Sequence, residues 1–163
     1  MESPSRTRHT FGRRSVLRLF ALAPVAAALT TACSSGEAEP DVLLGAARAA
    51  KADAALAEAI GRAHSGLAEV AEEVATARKA HAQALQREID RMNPPDPKAP
   101  PSVPEPPPQQ APSSADQASE ALRAAARKAQ QQAADLVPSL PPYRAGLAGS
   151  VSASCACLLE VLS

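Results

Sequence analysis

The prolines of this chain are gathered in one segment, and their position limits the fold more than any other feature. Ten of the 16 prolines fall within residues 94–112, including a Pro106-Pro107-Pro108 run. Proline lacks the amide hydrogen that a helix interior needs, so a helix cannot continue through this segment. We predict an extended, polyproline-type crossover on the surface, with too few apolar side chains to join a core.

Helix-forming residues flank the crossover on both sides. Residues 41–92 contain no proline and are dense in alanine, leucine, glutamate, arginine and lysine, and residues 113–163 return to this composition. These residue types have high helix propensities. The predicted fold class is therefore all-α.

Each helical block is expected to break once. Gly61 to Gly66 brings two glycines and a serine into one short stretch, and residues 138–142 contain three prolines. Because short turns join antiparallel neighbours, we predict an antiparallel four-helix bundle with residues 94–112 as the crossover between the second and third helices. Its segments are residues 41–63, 66–92, 114–137 and 139–162, and Ser114 with Gln117 is a capping-box pattern for the third.

Apolar spacing predicts which helix faces are buried. In the first block a 4-3-4-3 stripe runs through Leu56, Ile60, Ala63, Leu67, Val70, Val74 and Ala77, and it continues with Leu85, Ile89 and Met92. Charged residues outside this stripe, Arg78 among them, are assigned to the solvated face. In the fourth helix Tyr143, Leu147, Val151, Leu158 and Leu162 form a stripe, while Gly146 and Gly149 are expected to permit close approach of a neighbouring helix. Most core positions are alanine, so the buried apolar area is thin and a homodimer would add to it.

His81 is the one polar residue of the mature chain that stands out in this pattern. It follows Ala77 by four positions and precedes Leu85 by four. Glu88 comes seven residues after His81 and lies on nearly the same face of the helix. One interpretation is a ligand-binding or pH-sensing pair, His81 and Glu88, inside the bundle. The other is a structural histidine that is hydrogen-bonded in the bundle.

The first 32 residues have the pattern of a secretory signal. Five arginines precede an apolar segment over residues 19–32, which ends in small residues before Cys33. Arg13 and Arg14, followed by Leu17 and Arg18, resemble a twin-arginine export signal, and Thr-Thr-Ala before Cys33 resembles a lipobox. A lipobox implies that Cys33 becomes the acylated N-terminus, and two acyl chains hold a protein stably on a membrane.

The predicted organisation is a signal peptide over residues 1–32, a lipidated tether over residues 33–40 and a helical domain over residues 41–163. The predicted location is the extracytoplasmic face of the cell membrane. The alternatives are cleavage elsewhere, which would leave Cys33 an ordinary thiol, and a chance arginine pair in a signal for the general secretory route.

Charge and aromatic content exclude nucleic acid as a partner. The signal carries five arginines and one glutamate, so the mature chain keeps 12 basic and 16 acidic residues. Nucleic-acid binding needs a basic face and usually stacking aromatics. Tyr143 is the only aromatic residue after the signal.

The sequence contains no motif for catalysis or for a cofactor. Ser-His-Asp and Cys-His arrangements, a Gly-rich phosphate loop and paired metal-ligating histidines are all absent from the mature chain. Cys155 and Cys157 lie on nearly opposite sides of a helix, so they cannot form a local disulfide. They are interpreted as small apolar residues, with an intermolecular disulfide or a metal site as alternatives. We therefore expect no enzyme activity, catalytic residue, cofactor or bound metal.

The predicted layout of two helical hairpins joined by a long crossover resembles the ferritin-like domains of actinobacterial envelope lipoproteins. So does the second-helix segment Arg78-Lys-Ala-His81-Ala-Gln-Ala-Leu85. Members of that family with a di-iron site carry Glu-x-x-His on two helices. Here Gly61 stands three before His64, and Arg78 stands three before His81, so the resemblance implies the layout without the di-iron ligands. The expected role is binding or scaffolding of an unknown envelope protein. The alternative is a small-ligand or metal carrier with a degenerate ferritin-like core.

Overall fold

Four α-helices and no strand make up the described part of the chain, which is residues 39–163 of a computed structural model. The helices are α1 (Leu44–Ala63), α2 (Ala68–Met92), α3 (Ala115–Leu136) and α4 (Pro142–Val161). This confirms the all-α class. The predicted signal over residues 1–32, with Arg13 and Arg14, and the predicted lipidation site Cys33 lie outside the described residues.

Both predicted breaks are confirmed. Helix α1 ends at Ala63, where His64 takes an extended backbone conformation and a 3-10 turn, Ser65–Leu67, leads into α2. A second 3-10 turn, Val137–Ser139, separates α3 from α4, which begins with a proline at its first position. The predicted cap of the third helix is also present, because the Ser114 hydroxyl accepts a hydrogen bond from the amide of Gln117 at 3.2 Å.

Alanine dominates the core, and it shifts the buried faces from the predicted ones. Fourteen of the twenty-five buried apolar residues in residues 39–163 are alanine. The predicted stripe is right at Ile60, Val74, Leu85 and Ile89, which are buried. This stripe is wrong at Ala63 and Met92, and the stripe of the fourth helix is wrong at Tyr143, since all three residues are exposed. Alanine is small and only weakly apolar, and it occurs on several faces of these helices. Those faces therefore have similar hydrophobicity, and the sequence does not identify clearly which one is buried.

Helix α1 packs mainly on α2, and α3 packs mainly on α4. The two pairs meet where α1 contacts α3 and where α2 contacts α4. One core cluster joins Ile60, Val74, Leu122 and Leu158. A second joins Leu43 and Leu85 with Leu147 at its edge.

The proline-rich segment packs on the helices, contrary to the expectation that it stays outside the core. Val103 is fully buried in the second core cluster, next to Leu43 and Leu85. The ammonium of Lys51 in α1 donates to the Val103 carbonyl at 2.8 Å and to the Glu105 carboxylate at 2.7 Å. One buried apolar side chain and one partly buried hydrogen bond therefore attach the crossover to α1.

Gly146 and Gly149 do not mark a close helix contact, so that expectation is wrong. A Cβ atom added at either glycine would meet no neighbouring element within 4 Å. The small residue that is buried where α4 meets α2 is Cys155, whose thiol reaches Arg78.

Candidate functional site

His81 contacts the most deeply buried charged side chain of the described residues. Its Nδ1 atom lies 3.1 Å from Nη1 of Arg78, one helical turn earlier on α2. A guanidinium can only donate, so Nδ1 accepts and a neutral His81 ring carries its proton on Nε2. The histidine is thus bonded within the helical domain, as the structural interpretation expects.

The prediction that Arg78 lies on the solvated face is wrong. Only 2% of the residue is exposed. Its Nε and Nη2 atoms donate to Oδ2 of Asp53 on α1 at 3.1 and 2.8 Å, and its Nη1 atom lies 3.7 Å from the Cys155 sulfur on α4. We call Asp53, Arg78, His81 and Cys155 the Arg78 cluster, which ties three helices together.

Burial sets the protonation states in the Arg78 cluster. Burial raises the pKa of Asp53, although the positive charge of Arg78 opposes this. Burial, with the nearby positive charge of Arg78, lowers the pKa of His81 to about 4. Burial also raises the pKa of the Cys155 thiol. At neutral pH the imidazole is therefore uncharged and the thiol protonated, which is unlike an activated cysteine nucleophile.

Glu88 belongs to a different group of charges. It is 4% exposed, and its carboxylate accepts hydrogen bonds from Nε and Nη2 of Arg91 at 2.8 and 2.9 Å. Nε of Arg144 lies 3.5 Å from Oε1 of Glu88, and Nη2 of Arg144 pairs with Asp41. The hydrogen bonds from Arg91 lower the pKa of Glu88 despite its burial. We call Asp41, Glu88, Arg91 and Arg144 the Glu88 cluster.

The two predicted site residues are engaged by different partners and do not form one site. Seven residues on a helix separate them by about 10 Å along its axis. Sequence reasoning missed Arg78 and Asp53, although a signal was present. Arg78 follows the buried Val74 by four and precedes Leu85 by seven, while Asp53 lies three and four residues from buried alanines. Both charges therefore occupy core positions of their helices.

The described residues offer little for a metal ion. In residues 39–163, no three histidine, cysteine, aspartate or glutamate side chains gather closely enough to hold one. Cys155 is buried and Cys157 exposed, and both are free thiols. The charge at the centre of the Arg78 cluster is a cation, which repels a metal ion instead of coordinating it.

A groove on the described surface is lined by residues that belong neither to the Arg78 cluster nor to the Glu88 cluster. It has a volume of about 240 Å³ and lies between α1, α2 and the crossover, and its rim carries Lys51, Glu58, Lys79 and Glu105. Its charges pair with one another, Lys51 with Glu105 and Lys79 with Glu58. It offers a ligand no unpaired charge among these four.

No family model, curated protein or solved structure matches this chain. Among the helices of residues 39–163, none combines the length and the apolar composition needed to cross a membrane.

Proposed function

We propose that this chain is a lipoprotein, anchored through Cys33 on the extracytoplasmic face of the cell membrane, whose helical domain binds or scaffolds another envelope protein. The anchor is supported by the twin-arginine-like motif, the apolar segment and the small residues before Cys33. Support also comes from the compact unit Pro40–Ser163, which begins at the last residue of the proposed tether. Association as a homodimer stays a prediction.

We further propose that the domain is an antiparallel four-helix bundle with a ferritin-like layout. The first core cluster supports this, because it unites the end of α1 (Ile60), the start of α2 (Val74), the start of α3 (Leu122) and the end of α4 (Leu158). The second cluster unites the start of α1, the end of α2 and the start of α4. In such a layout each helix runs antiparallel to both of its neighbours, and the crossover spans the length of the bundle.

One observation favours a binding role at the surface over a carrier with an internal site. The interior position that a degenerate ferritin-like core would offer to a ligand is filled by the Arg78 side chain. Its donors are committed to Asp53, His81 and Cys155. A partner then has the exposed faces and ends of the helices to contact.

The anchor is tested by fractionating cells that express the full chain or its Cys33→Ala variant. We expect the native protein in the membrane fraction, with an N-terminal cysteine peptide whose mass includes the acyl groups, and the variant outside that fraction. Arg13→Lys with Arg14→Lys should block export. Normal export of this double variant would assign the chain to the general secretory route.

The binding role is tested against the carrier by titrating the purified lipoprotein with zinc, iron and manganese in a calorimeter, with Cys155 and Cys157 changed to serine. We expect only nonspecific binding. A single tight site that is lost in His81→Ala would replace the scaffold proposal with the carrier.

Crosslinking in intact cells, followed by mass spectrometry, tests the protein partner directly. It should give one recurrent envelope protein joined to the native lipoprotein, and the absence of such a protein would count against the scaffold.

A further inference from the structure

Large apolar side chains are exposed mainly at one end of the described domain. The four such residues are Val42, Met92, Tyr143 and Val161. The first three lie just before α1, at the end of α2 and at the start of α4. Tyr143 is the most exposed, at 72%.

Contacts bring these three residues to the same surface. The Arg91 guanidinium lies over the Tyr143 ring, 5.8 Å from its centre, and its Nη2 atom donates to the Met92 sulfur at 3.4 Å. Arg144, the chain neighbour of Tyr143, pairs with Asp41, the chain neighbour of Val42. We call Val42, Met92 and Tyr143 the Tyr143 surface.

The Glu88 cluster adjoins this surface: Asp41, Glu88 and Arg144 are largely buried, whereas Arg91 is exposed beside Tyr143. Glu88 is buried and holds Arg91, so the guanidinium that contacts Tyr143 and Met92 is itself fixed in place. Proteins place tyrosine, arginine and apolar side chains together at the boundary between lipid headgroups and acyl chains, and the Tyr143 surface with Arg91 has this composition. A largely buried group of charges that holds an exposed arginine next to exposed apolar groups suits a preformed contact surface.

Chain length holds this same end of the domain near a membrane if Cys33 carries the lipid. Pro40 lies seven positions after Cys33, and a fully extended chain of seven residue steps spans at most about 25 Å. The chain enters the domain at Asp41 and Val42, which is at the Tyr143 surface itself. The end of α4 that carries Val161 lies about 27 Å along the helix from Tyr143.

We propose that the Tyr143 surface docks on the phospholipid bilayer that holds the acyl chains of Cys33. Val42, Met92 and Tyr143 enter the headgroup boundary, and the Val161 end of α4 points away from the membrane. This proposal rests on the lipid anchor, and it adds a second, non-covalent membrane contact that fixes the orientation of the domain. The opposite end and the helix sides then face the envelope, where a protein partner would bind.

Tyr143 makes the proposal directly measurable, because it is the only tyrosine and the chain has no tryptophan. The lipoprotein is purified from membranes and reconstituted into phosphatidylcholine and phosphatidylglycerol vesicles, and tyrosine fluorescence is quenched with aqueous iodide or with brominated acyl chains. We expect weak quenching by iodide and strong quenching by the brominated lipid. The matched control is the double substitution Y143F/V161Y, which moves the single tyrosine to the other end of α4. Its iodide quenching should be severalfold greater.

Flotation with the vesicles, and the mass of the N-terminal peptide, report the anchor independently of the tyrosine. A protein without acyl groups that does not float defeats the anchor proposal. A protein that floats, but whose Tyr143 is quenched by iodide as strongly as the relocated tyrosine, defeats the docking proposal alone. Protection from iodide without quenching by brominated lipid would also defeat it, since a second copy or another protein would then cover the surface.

A second variant tests the role of the apolar neighbours. Val42→Ser with Met92→Ser changes two exposed side chains, so the fold should persist, and circular dichroism checks this. We expect iodide quenching of Tyr143 to rise severalfold in the reconstituted variant. Unchanged quenching would show that these residues do not hold the domain on the bilayer.

Discussion

Arg78 is a charged residue in an alanine-rich interior, and its position is stabilised only by its partners. Removing a guanidinium from water costs several kcal/mol, which ion pairing and hydrogen bonds must offset. The Asp53 carboxylate accepts from both Nε and Nη2, and His81 and Cys155 engage Nη1. Because these partners lie on three helices, this one side chain fixes their relative position.

We predict that Arg78→Met lowers the free energy of unfolding by about 3 kcal/mol, since it leaves the Asp53 carboxylate without its partner. Urea denaturation followed by circular dichroism measures this. Arg87→Met is the matched control, because Arg87 is exposed on the same helix and its loss should cost less than about 0.5 kcal/mol. The double substitution of Arg78→Met with Asp53→Ala should be more stable than Arg78→Met alone. The opposite order would mean that the pair is not coupled.

We predict that His81 makes the stability of the folded protein depend on pH. Its pKa is about 4 in the folded state and near its usual 6.5 when unfolded. Between these two pH values the unfolded chain binds a proton that the folded chain does not bind. The contribution of the neutral His81 to the free energy of unfolding is therefore fully present above about pH 6.5 and is lost as the pH drops toward 4. Solvent reaches part of the ring and screens the interaction, so we expect the loss to be about 1 kcal/mol.

His81→Gln should remove this part of the pH dependence, because glutamine stays neutral and can still accept a hydrogen bond from Arg78. The measurement is the free energy of unfolding of both proteins at several pH values between 4 and 7. Parallel curves for the native chain and the variant would contradict the assignment. His64→Gln serves as a control for losing a histidine, since His64 contacts the Pro112 carbonyl at 2.8 Å and lies outside the Arg78 cluster.

At the scale of elements, the crossover is part of the folded core. Val103 is fully buried with Leu43, Leu85 and Ile89, and its carbonyl accepts from Lys51. The end of the segment is also held, because Pro112 contacts His64. The proline-rich segment is therefore attached at the start of α1 and again just after its end.

We predict that Val103→Ala destabilises the domain by about 1–2 kcal/mol through lost burial and the cavity that remains. Gln110→Ala, at an exposed position of the same crossover, should change stability by less than about 0.5 kcal/mol. Chemical denaturation of both variants tests the difference. Equal stability of the two would return the crossover to the role of a simple spacer.

The residues at which the helices begin and end were predictable from the sequence, because proline, glycine and the Ser114 cap each determine the backbone conformation of their own short stretch of chain. The faces of the helices were predictable only in part. Leucine, isoleucine and valine marked the core at Ile60, Val74 and Leu85, but alanine gave no clear phase. Partners distant in sequence, such as Asp53 for Arg78, decide whether a charge can be buried, so local pattern reasoning placed Arg78 in solvent. For the same reason it grouped His81 with Glu88, although each is held by a different arginine.

At the scale of the whole molecule, the thin alanine core makes the arrangement of helices depend on a few larger contacts. Ile60, Leu122 and Leu158 meet in the first core cluster, whereas Leu43 and Leu85 meet in the second. In the proposed ferritin-like layout, these clusters lie at opposite ends of one bundle. The turn between α1 and α2 then lies at the end of α4, and the start of α4 lies at the other end.

Two distances distinguish this layout from one in which α4 runs the other way. Spin labels are placed at exposed positions, one on the turn at Ser65 and the other on α4 at either Val161 or Tyr143, in a chain whose native cysteines are replaced. Because α4 is close to 30 Å long, we expect the distance from position 65 to position 161 to be shorter than that from 65 to 143 by about 10 Å or more. Pulsed electron paramagnetic resonance measures both distances. The reverse order would exclude the ferritin-like layout, and with it the separation of the Tyr143 surface from the turn between α1 and α2.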